Sequence, residues 1–311
     1  MKFTIYQGSR QGPRPYNQDR LAYSYSKDAL MMVIADGMGG HRHGEVAAQL
    51  AVKMLTDAFQ KTAKPELSSP SRFLNEQILE IHEAIDDIRK NNSLAEAPRT
   101  TIAAAIVQRD FIHIAHVGDS RLYHYRNREL LYRTEDHSVV QMMLRKGQIT
   151  KKDLGTHPDR HKIYNCLGGT TPPQVHISQK RQLKDGDRIL LCTDGLWTAV
   201  SDIDISRTLH AGAINLAALK LLDNAETLCK KDGDNMSLIA MQWGEKQDSK
   251  TAVSTGTMPL GATTTILNPL TTYQLTVRND EAAEAASDLS DEDIESAIAG
   301  IQAAIHKTKG K

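Results

Sequence analysis

Four aspartates of this 311-residue chain border short apolar runs, each beside or near a glycine. Met32-Val33-Ile34-Ala35 runs into Asp36-Gly37, Ala115-His116-Val117-Gly118 into Asp119, and Leu190-Leu191-Cys192-Thr193 into Asp194-Gly195. Asp232-Gly233-Asp234-Asn235 stands just before the apolar stretch Ser237 to Trp243. A short apolar run reads as a buried strand, and Asp-Gly reads as a turn. Three of these carboxylates therefore sit at strand exits and one at a strand entrance. Singly, each is a turn signal; in one compact domain they can converge on one point. Their mutual repulsion would then demand cations. Hard carboxylate oxygens, without cysteines or clustered histidines beside them, favour Mg²⁺ or Mn²⁺ over zinc.

The rest of the pattern frames these strand ends. Val46, Ala47, Leu50, Ala51, Met54, Leu55 and Ala58 recur at helical spacing, so a helix begins near Gly44. Leu74, Ile78, Ile81, Ile85 and Ile88 form a second stripe, with Ser69-Pro70-Ser71 as its start signal. Thr100 to Val107 and Phe111 to Val117 read as paired strands, Leu122 to Tyr125 as another, and Leu216 to Leu228 as a helix. Strands and helices come in blocks rather than in strict βαβ alternation. This predicts an α+β layered fold with mostly antiparallel sheets, not a doubly wound parallel one.

After Gly244 the texture changes. Residues 246–280 lose apolar periodicity and are rich in Thr, with Gly and Pro, which reads as a flexible linker. Residues 281–311 form an acidic tail, in which Ser290-x-x-Asp293 resembles a capping box and Ile294, Ile298, Ile301 and Ile305 follow at helical spacing. A short amphipathic helix is expected there, with two readings open: docked on the core or on a partner, or a solvated, mostly disordered extension. Lys+Arg and Asp+Glu balance at 38 each, but residues 246–311 hold six of the bases and nine of the acids. The neutral total is thus a slightly basic body, residues 1–245, offset by an acidic tail. Neutrality excludes a general nucleic-acid binder or a polybasic membrane-surface protein. Three scattered cysteines suit a reducing cytoplasm, and no apolar run reaches the ~18 residues of a membrane span.

The motifs occur in an order that resembles one known family. Gln11 to Asp19 (Arg14 followed by Asn17-Gln18-Asp19), Asp36-Gly37-Met38-Gly39-Gly40-His41 with Gly44-Glu45, Thr100-Thr101, and Gly118-Asp119-Ser120-Arg121 come first. Asp136-His137-Ser138, Gly147-x-Ile149, Leu167-Gly168-Gly169, Asp194-Gly195-Leu196-Trp197 and Asp234-Asn235 follow. Over residues 3–243 this resembles the protein phosphatase 2C-like (PPM) metal-dependent phosphatases in their bacterial form. The resemblance implies a four-layer α-β-β-α sandwich with two central antiparallel sheets. It implies a serine/threonine phosphoprotein phosphatase, opposing a bacterial Ser/Thr kinase and using two Mg²⁺ or Mn²⁺ ions, with a third in many bacterial members. Asp36 would bridge the first two metals, Asp194 and Asp234 hold the first, the Gly37 carbonyl reach the second, and Asp119 with Asp194 hold the third. Gln18 and Asp19 would be outer contacts of the second metal, Asn235 and Ser120 supporting residues, and Arg14 the phosphate binder. Two metals ~3.5–4 Å apart lower the pKa of a shared water and clamp an in-line displacement, and a guanidinium fork meets two phosphate oxygens.

Two departures stand out. Gln18 replaces the family's usual Glu, an amide for a carboxylate, and Met38 stands where animal-type members carry His. His41 reads as a structural loop residue. The polar, basic segment Met143 to Tyr164 corresponds to the family's mobile flap. Other hydrolase classes fail: the sixth residues after Cys166, Cys192 and Cys229 are Pro172, Thr198 and Asn235, not Arg. Asp202-x-Asp204 reads as a helix cap rather than a nucleophile, and His41-x-His43 lacks partners in zinc spacing. The alternative with substance is a pseudophosphatase that binds phosphoproteins without turnover; retention of all four aspartates speaks against it.

Overall fold

The computed structural model describes residues 1–38, 43–91, 97–229, 231, 233–244, 253–254, 258 and 263–267. The elements run β1 (Lys2–Arg10), β2 (Asp19–Ser26), β3 (Ala29–Asp36), α1 (Gly44–Thr62), α2 (Pro70–Asn91), β4 (Ile102–Gln108), β5 (Phe111–Val117), β6 (Arg121–Arg126), β7 (Glu129–Arg133) and α3 (Val139–Arg145). They continue β8 (His176–Ile177), β9 (Arg181–Gln182), β10 (Arg188–Cys192), α4 (Asp194–Ala199), α5 (Asp202–Leu209), α6 (Ile214–Leu228), β11 (Met236–Trp243), β12 (Val253–Ser254) and β13 (Thr263–Leu267).

Two antiparallel sheets lie face to face. One has the order β12-β1-β11-β10-β6-β7, the other β13-β2-β3-β4-β5-β8, with β9 also on β5. Three apolar layers hold the stack. Leu30, Met32 and Ile34 of β3 meet Ile189 and Leu191 of β10 and Ile239 and Met241 of β11 between the sheets. The opposite face of β3, Met31 and Val33, packs with Leu50 and Leu55 of α1 and Ile78 and Ile85 of α2. Leu190 and Cys192 of β10 pack outward on Ile205 of α5 and Leu221 and Leu222 of α6. Both faces of these central strands are dry, which is why their sequences are continuous apolar runs rather than alternating ones. The result is the expected α-β-β-α sandwich.

Several details differ from the sequence reading. Within 246–280, read as linker, Val253–Ser254 pairs with β1 and Thr263–Leu267 pairs with β2, Thr264 opposite Tyr25. The threonines that suggested a linker are also β-branched residues that fit a pleated edge. Ser201, not Asp202, caps α5: its Oγ accepts from the Asp204 N–H at 3.2 Å and donates to the Asp204 carboxylate at 2.7 Å. Asp202 instead accepts from the Tyr123 hydroxyl at 3.1 Å and from Arg133 at 2.7 Å. Gly39, Gly40, His41 and the tail 281–311 with its isoleucine stripe lie outside the described residues.

A buried ion cluster fixes β10 against β6. Asp187, fully buried, accepts from Arg126 Nε and Nη2 and from His124 Nε2, each at 2.8 Å, and from the Lys184 N–H at 2.9 Å. Burial raises its pKa, but these hydrogen bonds outweigh it and hold the carboxyl below its ordinary range. Asp187→Ala leaves the buried His124 ring and the partly exposed Arg126 guanidinium without their acceptor and is expected to cost about 2–4 kcal/mol in urea unfolding. A loss below about 1 kcal/mol would show that the cluster does not hold the sheet.

Candidate metal centre

The site is assembled at the ends of β3, β5 and β10 and the start of β11. Asp36 is the last residue of β3 and lies opposite Asp19, the first of β2. Its backbone is pinned from both sides: Thr101 Oγ1 accepts from the Asp36 N–H at 3.1 Å, while Thr101 N–H and Thr100 Oγ1 donate to the Asp36 carbonyl at 2.9 and 2.8 Å. Thr100 is held in turn by Leu167, through reciprocal backbone bonds of 3.3 and 2.9 Å. This gives the Thr-Thr and Leu-Gly-Gly motifs a common purpose: they clamp the strand end that carries Asp36. The same lattice reaches Asp119, because Thr101 Oγ1 and Ser120 Oγ lie 2.7 Å apart.

Asp119 is positioned through its main chain. Trp197 Nε1 donates to the Asp119 carbonyl at 3.1 Å, and the Arg121 guanidinium stacks over the Trp197 ring at 3.5 Å. Arg121 also forks Asp136 at 2.7 and 2.8 Å. His137 Nδ1 accepts from the Gly118 N–H at 3.2 Å, and burial pushes its pKa down to about 3, so the ring stays neutral. Ser138 caps α3 by accepting from the Gln141 N–H. The Asp-His-Ser motif is thus a brace behind Asp119. A cavity of about 400 Å³ opens beyond it, lined by Asp136, His137, Arg145, Tyr164 and His176.

Asp194 opens α4, and Asp234 precedes β11 beside Asn235. Asn235 ties the two sheets' loops together: its Oδ1 accepts from the Gln18 N–H at 2.9 Å, and its Nδ2 donates to the Gln11 and Tyr16 carbonyls at 2.8 and 3.0 Å. Asp19 is wholly buried and accepts from Thr193 Oγ1 at 2.8 Å. Arg14, half-exposed, donates Nη2 to Asp234 Oδ2 at 2.7 Å and Nε to the Gly233 carbonyl at 3.0 Å. Gln18, buried, does not offer a carboxylate; its Nε2 donates to Glu45 at 3.0 Å. Sequence reasoning noted Glu45 only as part of a motif, and did not single out Thr193, Asp136 or Trp197 as parts of the site.

These carboxylates perturb one another. Burial, then the charges of Asp19, Asp194, Asp119 and Asp234, raise Asp36 well above its ordinary pKa. Burial, then Asp119, Asp234 and Asp19, do the same to Asp194. Burial is also the main cause that lifts Asp19 and Asp119 to about 7. The Oδ1 atoms of Asp119 and Asp194 are buried without a hydrogen-bond partner among the described residues. Among the described residues no three acids are placed so as to hold one ion between them, but neighbouring oxygen-only donors with open lone pairs are the kind that divalent Mg²⁺ or Mn²⁺ takes.

A raised folded-state pKa gives stability that is present below the unfolded value, 3.8, and lost as pH rises through about 7. Cation binding removes that loss, because it displaces the protons and neutralises the charge. The rise in melting temperature on adding Mn²⁺ over chelator is therefore expected to grow from pH 5 to pH 7.5. Using the difference cancels the buried histidines, which titrate in both samples. A shift that is flat or shrinks over this range would contradict the carboxylate cluster as the binding site.

The protein phosphatase 2C family profile matches residues 10–217. The serine/threonine phosphatase stp of Listeria welshimeri is 34% identical over 200 residues, 64% of this chain and 79% of that protein. The crystal structure of the Mycobacterium tuberculosis serine/threonine phosphatase PstP/Ppp superimposes with a TM-score of 0.69 at 29% identity, covering 79% of this chain and 100% of that one. The catalytic domain of PstP in complex with two manganese ions gives 0.66 at 28% identity, over 78% of this chain and 98% of that one. With the fold and the ordered motifs in agreement, the chain belongs to the protein phosphatase 2C (PPM) family of metal-dependent enzymes and is a serine/threonine protein phosphatase of the bacterial type.

Proposed function

We propose that Asp36, the Gly37 carbonyl, Asp119, Asp194 and Asp234 hold two or three Mg²⁺ or Mn²⁺ ions, and that Arg14 binds the phosphate of phosphoserine or phosphothreonine. The observation that carries this reading is the mutual electrostatic perturbation of carboxylates from four separate strand ends, Asp119 and Asp194 each with a buried, unpartnered oxygen. When bound, such cations supply a water of lowered pKa and neutralise charge on the phosphoryl oxygens. The chain's own residues do the rest. Thr100 and Thr101 fix Asp36, Trp197 and Ser120 fix the Asp119 loop, and Asn235 fixes the loop of Arg14 and Gln18. Arg14 Nη1 makes no hydrogen bond among the described residues, so the fork can turn from Asp234 to two phosphate oxygens.

The physiological role we assign is reversal of a bacterial Ser/Thr kinase's phosphorylation in the cytoplasm. Among the described residues no helix is long and apolar enough to cross a membrane. The segment after α3 presents exposed Lys146, Lys151, Lys152 and Arg160, a basic surface that suits phosphoproteins.

Mn²⁺-dependent hydrolysis of p-nitrophenyl phosphate tests the assignment. Asp194→Asn is expected to reduce turnover to background, and EDTA to do so reversibly. Arg14→Ala is expected to lower kcat/KM by about 10- to 100-fold, the worth of a charge-assisted hydrogen bond. Full Mn²⁺-dependent activity in Asp194→Asn would remove that residue from the centre; unchanged kcat/KM in Arg14→Ala would remove the phosphate contact.

A further inference from the structure

β13 fixes where the acidic tail begins. Its register on β2 sets Thr263 opposite Ser26 and Leu267 opposite Ala22, so the strand runs toward the Asp19 end of that sheet. Ser24 Oγ adds a side-chain bond to the pairing, donating to the Thr264 carbonyl at 3.0 Å. The same end of the sheet carries Asp36, opposite Asp19, and Val117, opposite Ile102, from which β5 leads into Asp119. Leu267 is the last described residue, and residues 268–311 follow it. Asp280 stands thirteen residues further on and opens a stretch, 280–295, that holds eight acids and no base.

The opposite charge stands on the segment after α3. Lys146, Lys151, Lys152 and Arg160 are exposed, and their side chains meet no acid among the described residues. Both roots of this segment are pinned to the loop of Asp119. The Val139 N–H donates to the Lys162 carbonyl at 2.8 Å, the Tyr164 N–H to the His137 carbonyl at 3.0 Å, and the His137 N–H to the Gly118 carbonyl at 3.0 Å. From β13 to β5 is four strand steps, roughly 19 Å at about 4.8 Å each. Thirteen residues of chain reach up to about 43 Å. The acids therefore start from the end of the sheet where the basic segment is rooted, with chain enough to reach it.

We propose that residues 280–295 dock on this basic segment of the same molecule and compete there with the phosphoprotein. The proposal rests on the reading of the segment as the surface that a phosphoprotein meets. Clustered carboxylates offer the sign of charge that a phosphorylated segment brings, without a bond the enzyme hydrolyses. Because one chain carries both partners, the acids are present at an effective concentration on the order of millimolar. Exposed ion pairs are individually weak and screened by salt, so the contact yields to an acidic phosphoprotein and dissolves at high ionic strength.

The test uses the full chain. A carbodiimide joins touching lysines and carboxylates without a spacer, and peptide mapping of the monomer band is expected to find Lys146, Lys151 or Lys152 linked to acids of 280–295. Kinetics then read the competition. The variant Glu281→Gln/Glu284→Gln/Asp288→Asn/Asp291→Asn/Glu292→Gln/Asp293→Asn is expected to lower KM for an acidic phosphopeptide by about threefold or more at low salt, with kcat unchanged. That difference is expected to vanish at about 0.5 M NaCl, where the screening length is only a few ångströms. Kinetics on p-nitrophenyl phosphate, which does not need the basic surface, are expected to stay as they were. In a Lys146→Gln/Lys151→Gln/Lys152→Gln background the neutral tail is expected to bring no further change. Links to other lysines alone, or links confined to a dimer band, overturn the proposal. So does an unchanged phosphopeptide KM, an equal fall in KM for p-nitrophenyl phosphate, or an undiminished effect in the lysine-free background. If the unsubstituted chain hydrolyses neither substrate with Mn²⁺, the phosphatase site reading fails instead, and the linking pattern still decides the docking.

Discussion

Everything in this protein turns on holding like charges together in a dry place. Asp19 and Asp119 are buried, Asp36 and Asp194 are partly so, and burial with their neighbours' charges raises the pKa of all four. Left to themselves such groups would separate or take up protons. They stay because none is free to move. Each sits within a residue or two of the end of a β-strand whose backbone is hydrogen-bonded in register, and the fold bears the cost of that crowding. The stability of the two sheets and the chemistry of the centre are one problem.

The solution is a set of braces that are themselves uncharged or internally neutralised. Thr100, Thr101 and Leu167 clamp Asp36 through hydroxyl and backbone groups. Thr193 donates to Asp19, and its own Oγ1 also accepts from the Ser237 N–H, so β10 and β11 are joined behind the acids. Arg121 forks Asp136 and stacks on Trp197, a neutral pair that anchors the Asp119 loop without adding net charge. Arg14, by contrast, is a cation at the rim, where it neutralises Asp234 and remains exposed enough to reorient. Placing hydroxyls inside and the guanidinium at the edge holds the acids together without adding charge between them.

The layered fold was largely legible because its central strands are buried on both faces. Met31 to Ile34 and Leu190 to Cys192 read as strands for that reason, and the stripes of α1 and α2 read as helices because one face packs on β3 and β4. The strand-end aspartates were legible because Asp-Gly or Gly-Asp breaks those runs abruptly. What escaped was structure with no apolar signature of its own. β1 is a polar-rich strand that gains its place by pairing with β11 along Phe3 to Arg10. β13 is Thr-rich and borrows its register from β2. Asp202 looked like a cap, yet its carboxylate is taken by Tyr123 and Arg133, contacts more than sixty residues distant in sequence.

The sequence by itself determined the layered class, the family and the aspartates at strand ends, because burial pattern and turn chemistry are local properties. Only the tertiary structure decided that Gln18 faces Glu45, that Arg14 rests on Asp234, and that Asp136, His137 and Trp197 brace the Asp119 loop. Those are pairings between loops and helix starts that lie apart in the sequence. Side-chain hydrogen bonds reach only about 3 Å, so they exist only once the packed core has fixed how the strand ends converge.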